Sequence, residues 1–196
     1  MAKTFVIGDI HGAYKALIQC LERSGFDRAN DHLIALGDLV DVYPDVKECI
    51  DELLALPYCD HILGNHDVWA MEWSLRGVKS STWLEQGGQA TIRAYGEKAM
   101  FKNHFEFLND SKLWLELENM LFVHAGFDPK LPIKDQRMRK LTSDRSLVEE
   151  AWRMTCAHKK FKIGPYEDIF LGHTPTQDYF SDTPLRLGNI WMMLCR

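Results

Sequence analysis

The sequence lacks the features that mark secreted, membrane and nucleic-acid-binding proteins. Its five cysteines are odd in number and form no CxxC pair, which favours reduced thiols in a cytoplasmic protein over a disulfide framework or a zinc ribbon. The N-terminus shows no signal peptide, and no apolar stretch approaches the roughly 18 residues that a membrane-spanning helix needs. A formal net charge of −5 gives no electrostatic reason to expect a nucleic-acid partner. We therefore expect a cytoplasmic protein that binds neither membranes nor nucleic acid.

The chain of 196 residues is long enough for one domain with a substantial core. Its composition, 46% hydrophobic and 26% charged, is ordinary for a soluble globular protein. The sequence contains no repeat, no low-complexity segment and no obvious linker. We therefore expect residues 1–196 to form a single domain.

One arrangement recurs five times along the chain. A short apolar run ends in Gly or His and is followed at once by residue types that bind metals. Runs of four or five apolar residues, rich in Val, Ile, Leu and Phe, predict buried strands. The five segments are TFVIGDIHG (4–12), LIALGDLVD (33–41), HILGNHD (61–67), LFVHAG (121–126) and IFLGHT (169–174).

Helical patterns separate the first three of these segments. Apolar residues within 14–21 recur at spacings of three and four, and Gly25 follows as a C-terminal cap. The stretch 46–54 repeats the pattern and ends before Pro57. Such alternation predicts a largely parallel α/β sheet, in which ligands bind beyond the carboxyl ends of the strands. We therefore expect the five segments to converge on one crevice.

The middle stretch, residues 68–119, is less regular. It predicts mostly helices and loops that pack over or beside the sheet, with a turn at Gly87 and Gly88. Its four tryptophans are expected to be core residues rather than a substrate-shaping surface; they are Trp69, Trp73, Trp83 and Trp114.

The strand ends carry oxygen and imidazole donors but no thiolate. A single strand-end Gly-Asp is common in parallel sheets, because Gly permits the turn and Asp caps the next helix. Five such ends together argue for a shared site. The donor types suit Mn, Fe or Zn, and six donors suit two metals that share a bridging carboxylate, a device for phosphoryl chemistry. The candidate ligands are Asp9, His11, Asp38, Asn65, His124 and His173.

The ordered set GDIHG, GDLVD, GNHD, HAG and GHT resembles the calcineurin-like metallophosphoesterase superfamily. Within it, the set is similar to the short bacterial form of the PPP-type serine/threonine protein phosphatases. The resemblance runs from Gly8 to Thr174. It implies a two-sheet α/β sandwich flanked by helices, with a dinuclear metal site at the carboxyl ends of the strands.

The resemblance also implies a role for each motif residue. Asp9 and His11 would hold the first metal, and Asp38 would bridge both. Asn65, His124 and His173 would complete the coordination of the second metal. The metals, Mn first and Fe or Zn as alternatives, would supply a bridging hydroxide for in-line attack. His66 resembles the general acid that protonates the leaving alkoxide, and Asp41 resembles the carboxylate that orients it.

The chain departs from the family pattern beside Asp41. The family usually reads GDxxDRG, with the Arg binding the substrate phosphate, whereas this chain has Val42 and Tyr43 in place of Arg and Gly. Val supplies no hydrogen-bond donor to phosphate. Arg145, in a segment that resembles the family's Trp-x-Arg with Ser143 in place of the Trp, is the candidate substrate-binding cation. We expect phosphate to bind more weakly or differently here than in relatives.

Two further departures concern Asp67 and the end of the chain. Most protein phosphatases of the group have Glu where this chain has Asp67, and Asp is frequent in symmetrical diadenosine tetraphosphate hydrolases. Those hydrolases usually lack the second Asp of GDxxD and the GHT form, so the protein-phosphatase-like branch is favoured. Relatives generally continue beyond the segment that matches 184–191, so either this is a short form or the natural chain has been truncated.

Three functions remain open. The leading one is metal-dependent hydrolysis of phosphomonoesters, with a phosphoserine or phosphothreonine protein or a small phosphoester as substrate. The second is hydrolysis of dinucleoside polyphosphates or cyclic phosphodiesters. The third, motivated by Val42, is a catalytically weakened phosphate-binding module, against which the retained ligands, His66 and Asp41 argue.

Overall fold

A three-stranded parallel sheet forms the first half of the structure, which is a computed structural model that describes residues 2–195. Its strands pair in sequence order, and one helix follows each of the first two strands, as the alternation predicts. Gly25 has a φ of 69° and caps the first helix as predicted, since its left-handed conformation suits glycine. The elements are β1 (Thr4–Ile7), α1 (Tyr14–Ser24), β2 (His32–Ala35), α2 (Val46–Leu54) and β3 (Cys59–His61).

A second, five-stranded sheet forms the other half. Its central strands β5, β6 and β8 are parallel, and antiparallel strands β4 and β7 lie at the two edges in the order β4-β5-β6-β8-β7. Two helices precede β6 along the chain. The elements are β4 (Trp114–Leu117), β5 (Met120–Val123), α7 (Met138–Ser143), α8 (Ser146–Cys156), β6 (Asp168–Leu171), β7 (Leu185–Leu187) and β8 (Ile190–Met192).

The two sheets pack face to face, with helices on their outer sides. Side-chain direction alternates along β2 and the residue that follows it. Ile34 and Leu36 lie in the layer between the sheets, and Leu33 packs toward the helices. On the opposite side, Phe122 of β5 enters the inter-sheet layer, while Val123 packs toward α8. This period of two is the pattern of a strand that is buried on both faces. The predicted two-sheet sandwich flanked by helices is confirmed.

The segment that connects the sheets is mostly helical, as predicted. It comprises α3 (Asn65–Arg76), α4 (Ser81–Trp83), a π-helical turn (Leu84–Gly88), α5 (Gln89–Ala94) and α6 (Lys102–Asn109). Trp73 and Trp83 are buried in the core between these helices and α2, whereas Trp69 and Trp114 are half-buried. Along residues 2–195, no helix combines the length and apolar character that crossing a bilayer requires.

Candidate active site

The candidate residues lie in loops that leave the carboxyl ends of strands from both sheets. Asp9 follows β1, Asp38 follows β2, and Asn65 begins α3 after β3. From the second sheet, His124 follows β5 and His173 follows β6. Because parallel strands present their carboxyl ends at one edge, the packed sheets bring these residues to a common crevice.

Asp38 occupies the centre of the cluster. Its Oδ2 atom lies 3.3 Å from Nε2 of His124 and 3.9 Å from Nε2 of His11. The same oxygen lies 4.0 Å from Nε2 of His66. The Asp38 side chain is 3% exposed, so this carboxylate faces histidines on several sides with little water between them.

Asp9 and Asn65 contact the histidines around this centre. Asp9 Oδ2 is 3.8 Å from Nε2 of His11, and both Asp9 oxygens accept the backbone N–H of His173, at 3.0 and 3.2 Å. Asn65 Oδ1 lies 3.3 Å from Nε2 of His124. The structure therefore brings together all six residues that the sequence nominated as metal ligands.

Two groups of possible ligand atoms share Asp38. His11, Asp38 and His66 form one group, and Asp38, His124 and His173 form the other. Within each group the ligand atoms lie within 4.8 Å of one another. A carboxylate common to two neighbouring groups is the arrangement that a bridging ligand requires.

Backbone carbonyls orient two of the histidines. His124 Nδ1 is 2.6 Å from the carbonyl oxygen of Leu36, and His11 Nδ1 is 2.9 Å from that of Val40. A carbonyl only accepts, so each Nδ1 carries the proton and donates it. The Nε2 atom then faces the cluster, where a metal ion would bind it in its unprotonated form, which is the usual outer-shell arrangement of metal-binding histidines.

Two motif glycines let the ligands approach closely. Gly37 has a φ of +98°, and a Cβ at this position would lie 2.6 Å from Nδ1 of His124. A Cβ on Gly64 would overlap the Asp38 carboxylate. Four other site residues adopt left-handed conformations, which non-glycine residues rarely do: His11, Asp38, Asp41 and His173. Such backbone strain is concentrated at functional sites.

Asp67 holds the loop that carries Asp38. Its Oδ2 accepts the backbone N–H groups of Asp38 and Gly64, and its Oδ1 accepts that of Leu39, all at 2.9 Å. Asp67 is completely buried. The sequence identified this residue only as a departure from the family's Glu. Its bonds to Leu39 and Asp38 were missed because they span 28 and 29 residues, whereas the bond from Gly64 spans three and follows a local helix-capping pattern that the sequence could have shown.

His66 and Asp41 form a buried pair at the edge of the cluster. His66 Nδ1 donates to Asp41 Oδ2 at 2.7 Å, and the ring of Trp69 contacts the His66 ring edge-on with centroids 4.9 Å apart. Asp41 also accepts hydrogen bonds from Trp83 and Thr91, two residues that the sequence did not nominate. The pair has the geometry of an oriented imidazole, as expected for a proton donor.

The cluster strongly perturbs the acid–base properties of its members. Burial raises the pKa of Asp9 to about 6, against the opposing charges of His124 and His11. Burial would also raise the pKa of Asp38, but His124 and the other histidines hold it well below its usual value. Burial opposes protonation of His124, yet the charge of Asp38 and a hydrogen bond to it raise the His124 pKa to about 9.

The other two imidazoles shift in opposite directions. Burial and the positive charges of His124 and Arg145 lower the pKa of His173 to about 3, so this ring is neutral near pH 7. For His66, burial is outweighed by the hydrogen bond to Asp41 and the charge of Asp38, and its pKa is raised. The neutral His173 ring can therefore bind a cation, while the surroundings of His66 favour its protonated form.

The donor chemistry fits a pair of divalent cations. Two buried carboxylates, Asp9 and Asp38, lie among imidazoles, and the positive charge that balances them comes largely from a proton on His124. A metal ion would supply that charge and displace the proton, because imidazole binds metals in its neutral form. Oxygen and imidazole donors suit Mn, Fe and Zn alike.

The candidate phosphate-binding positions lie on the rim. Arg145 is exposed at the N-terminus of α8, and its charge reaches His173 and Tyr179. Val42 is 47% exposed with a φ of 62°, an unfavourable conformation for a β-branched side chain. The neighbouring Tyr43 is 55% exposed. The structure therefore brings a cation to the His173 side of the site and an apolar rim to the Asp41 side.

Comparison with known proteins finds one family model, several relatives by sequence and several solved structures of similar fold. The family model described as calcineurin-like phosphoesterase matches residues 2–189. A serine/threonine-protein phosphatase 1 from Salmonella typhimurium is 28% identical over 173 residues, which cover 87% of this chain and 78% of the relative. A symmetrical bis(5'-nucleosyl)-tetraphosphatase from Pseudomonas fluorescens is 30% identical over 170 residues, which cover 83% of this chain and 54% of the relative.

A second symmetrical tetraphosphatase, from Coxiella burnetii, is 32% identical over 135 residues, 67% of this chain and 44% of the relative. The chain thus spans about half the length of these tetraphosphatases. Among solved structures, a protein provisionally described as a diadenosine tetraphosphatase matches with a TM-score of 0.74 at 19% identity, covering 98% of this chain and 83% of that one. A cold-active protein-tyrosine phosphatase from a Shewanella species matches with a TM-score of 0.61 at 14% identity, covering 98% and 73%. At these identities the likeness concerns the fold alone.

Proposed function

The chain belongs to the calcineurin-like phosphoesterase family, and we propose that it hydrolyses phosphomonoesters as a metal-dependent enzyme of the serine/threonine protein phosphatase type. One observation carries this proposal. The hydrogen-bonded pair of His66 and Asp41 adjoins the shared carboxylate Asp38, so a proton donor lies beside a two-metal ligand set. Phosphoester hydrolysis needs both parts, because the attacked phosphorus requires charge stabilisation and the departing oxygen requires a proton.

The proposed ligands divide between the two ions. Asp9, His11 and Asp38 would hold the first, and Asp38 would be shared with the second, completed by Asn65, His124 and His173. When bound, the ions supply Lewis acidity to the phosphoryl oxygens and activate the attacking water. We expect Mn²⁺, with Fe or Zn as alternatives.

His66 would deliver the proton to the leaving oxygen. Its Nδ1–H is held by Asp41 and its Nε2 faces Asp38, so the proton to be donated is the one on Nε2. The raised pKa of His66, to which the Asp41 hydrogen bond and the Asp38 charge contribute, favours the protonated ring that a proton donor needs. Orientation by Asp41 then directs the proton toward the substrate side of the crevice.

Arg145 is the proposed anchor for the substrate phosphate. Its position beside His173 supports this role, since both would then face the same phosphoryl group. We expect Arg145→Ala to raise KM about tenfold or more with a smaller change in kcat, because a charge-assisted bond to phosphate contributes about 1.5–3 kcal/mol. Arg153→Ala, on the exposed face of the same helix, is the matched control. Val42→Arg should lower KM, and unchanged phosphate binding in both variants would contradict the assignment.

Hydrolysis of dinucleoside tetraphosphates is the second candidate. It is favoured by the similarity to the symmetrical tetraphosphatases of Pseudomonas fluorescens and Coxiella burnetii and by the Asp at position 67. Both reactions would use the same ligands and the same proton donor, so the difference lies in how the rim accommodates the leaving group.

A substrate panel separates the candidates. The Mn²⁺-loaded protein is assayed with p-nitrophenyl phosphate, a phosphothreonine peptide, diadenosine tetraphosphate and a cyclic nucleotide. Preference for the peptide supports the protein-phosphatase proposal, and preference for the tetraphosphate supports the second candidate. If protein with two bound metals turned over none of these substrates, both enzymatic functions would be overturned. A phosphate-binding module would then be the remaining function. Full activity of Asp38→Asn would contradict the shared-ligand assignment.

A further inference from the structure

Asp41 has more hydrogen-bond partners than its pairing with His66 requires. It is completely buried, and its Oδ2 accepts both His66 Nδ1–H, at 2.7 Å, and Trp83 Nε1–H, at 2.6 Å. Its Oδ1 accepts the hydroxyl proton of Thr91, and the Thr91 hydroxyl oxygen in turn accepts the backbone N–H of Asp41 at 3.0 Å. Both carboxylate oxygens are thus fixed by side chains from outside the motif.

Trp83 and Thr91 belong to the buried part of the helical connection. Trp83 ends α4 and Thr91 lies in α5, and the chain is kinked between them at Gly87, which has a φ of 103°. Both side chains bind Asp41. Each is completely buried. Gly88 lies so close to the Trp83 ring that a Cβ there would overlap the indole.

The geometry distinguishes these two residues from ordinary core residues. A buried indole N–H needs a partner, but any carbonyl would satisfy it. Here the partner is a buried carboxylate, and the hydroxyl of Thr91 binds the other oxygen of the same group. Two donors on different oxygens prevent the carboxylate from rotating about its terminal torsion, which is otherwise soft. The oxygen that faces His66 is thereby held in place.

We propose that Trp83 and Thr91 are positioning residues that act through Asp41 to hold His66 in the orientation and tautomer needed for proton donation. This inference rests on the proposed function, in which His66 protonates the leaving oxygen. Both residues are completely buried, and neither is among the candidate metal ligands. Their effect should therefore depend on how much the leaving group needs a proton, and not on how tightly the substrate binds.

Leaving-group dependence is the direct test. A good leaving group such as 2,4-dinitrophenolate departs without a proton, whereas phenolate and alkoxides need one. Proton donation by a general acid accelerates a reaction about 10²–10⁴-fold. Misalignment of the His66 ring should therefore lower the rate by part of this factor, about tenfold. We expect Trp83→Phe and Thr91→Val to lower kcat for phenyl phosphate about tenfold and for 2,4-dinitrophenyl phosphate less than about twofold. KM should change little in either case.

Matched variants control for packing. Trp73→Phe changes a second buried tryptophan in the same cluster, whose ring centroid is 5.9 Å from that of Trp83. It should leave the ratio of the two rates unchanged. Thr91→Ser keeps the hydroxyl and should restore the wild-type ratio, which a purely steric role for Thr91 would not predict.

A readout that is independent of turnover completes the design. In the Zn²⁺-loaded, diamagnetic protein, the His66 Nδ1 proton should give a downfield, slowly exchanging ¹H resonance because it is buried and bound to a carboxylate. We expect Trp83→Phe and Thr91→Val to shift and broaden this resonance, and Trp73→Phe to leave it unchanged. An unchanged resonance in both Asp41-partner variants, or an equal loss of rate for good and poor leaving groups, would overturn the inference. Absence of turnover by the wild-type protein would contradict the proposed function instead, and the resonance alone would then decide the positioning role.

Discussion

Metal binding to the candidate centre should release protons. In the metal-free protein a proton on His124 balances the buried Asp38, with the His124 pKa raised to about 9. A metal ion takes the same Nε2 atom and binds it only in the neutral form, so the proton must leave. Burial of Asp9 raises its pKa to about 6, which adds a second proton at lower pH.

The magnitude follows from these two values. At pH 7, His124 is almost fully protonated and Asp9 is about one-tenth protonated, so loading the centre should release about 1.1 protons. At pH 6, Asp9 is half protonated and the number should rise to about 1.5. His173 contributes none over this range, because its pKa is lowered to about 3. Apparent affinity should therefore increase about tenfold per pH unit between pH 7 and 8.5.

Calorimetry measures this number directly. Mn²⁺ or Zn²⁺ is titrated into metal-free protein in three buffers that differ in ionisation enthalpy, and the slope of observed enthalpy against ionisation enthalpy is the number of protons released. His124→Asn keeps an oxygen donor but removes the titrating imidazole, so the slope at pH 7 should change; any protons still released then come from Asp9 and Asp38, whose pKa values His124 no longer lowers. His158→Gln, outside the cluster, is the control. An enthalpy that is the same in all buffers at pH 7 would refute the assignment of the balancing proton to His124.

Three further substitutions test the structure around the centre. Asp67→Asn should destabilise the protein by about 3 kcal/mol in urea unfolding, because it replaces a buried acceptor of three backbone N–H groups; an unchanged midpoint would contradict the clamp. Gly37→Ala should lower the free energy of unfolding by more than about 2 kcal/mol, because the φ of Gly37 is +98° and the new Cβ would contact His124. Gly25→Ala should lower it by about 1 kcal/mol, because Gly25 has a φ of +69° but nothing within 4 Å of the new Cβ. Burial lowers the pKa of His61, so below about pH 6.5 the unfolded chain binds a proton that the folded protein excludes. The free energy of unfolding therefore decreases as the pH is lowered below this value. In His61→Gln, the free energy of unfolding should decrease less steeply on acidification, by up to about 1.4 kcal/mol per pH unit. Identical pH profiles of stability for the variant and the wild-type protein would contradict this.

The strand-end motifs made most of the fold and the ligand set predictable. Buried apolar runs that end in Gly-Asp, Gly-Asn or Gly-His reveal both a strand and its carboxyl end, so Asp38 and His173 could be nominated without knowledge of the pairing. What the motifs do not encode is which sheet each strand joins. Strands β3 and β5 belong to different sheets, and Ile34 and Phe122 share the buried cluster between those sheets, an arrangement that the apolar runs alone do not specify.

The outer partners of the site were not predictable for a different reason. Trp83 and Thr91 contact Asp41 across 42 and 50 residues, and neither contact leaves a periodic signal in the sequence. The tryptophans of 68–119 were expected to be core residues. Trp83 is indeed buried in the core, and it also contacts the site through Asp41. Val42 was interpreted as a lost phosphate ligand. The structure adds that its backbone N–H is bound to the carbonyl of Gly87, within the turn that carries Trp83.

The candidate centre forms only where the two sheets meet. His124 of the second sheet donates its Nδ1–H to the Leu36 carbonyl of the first, and the backbone N–H of His173 binds Asp9 across the same boundary. The candidate ligand set thus includes residues from both sheets, and a metal bound by Asp38 and His124 would join them. Because the unfolded chain does not preform this arrangement, metal binding free energy would also stabilise the packing of one sheet on the other. The inter-sheet core of Ile34 and Phe122 and a bound metal would then stabilise the same interface, one through apolar burial and the other through charge.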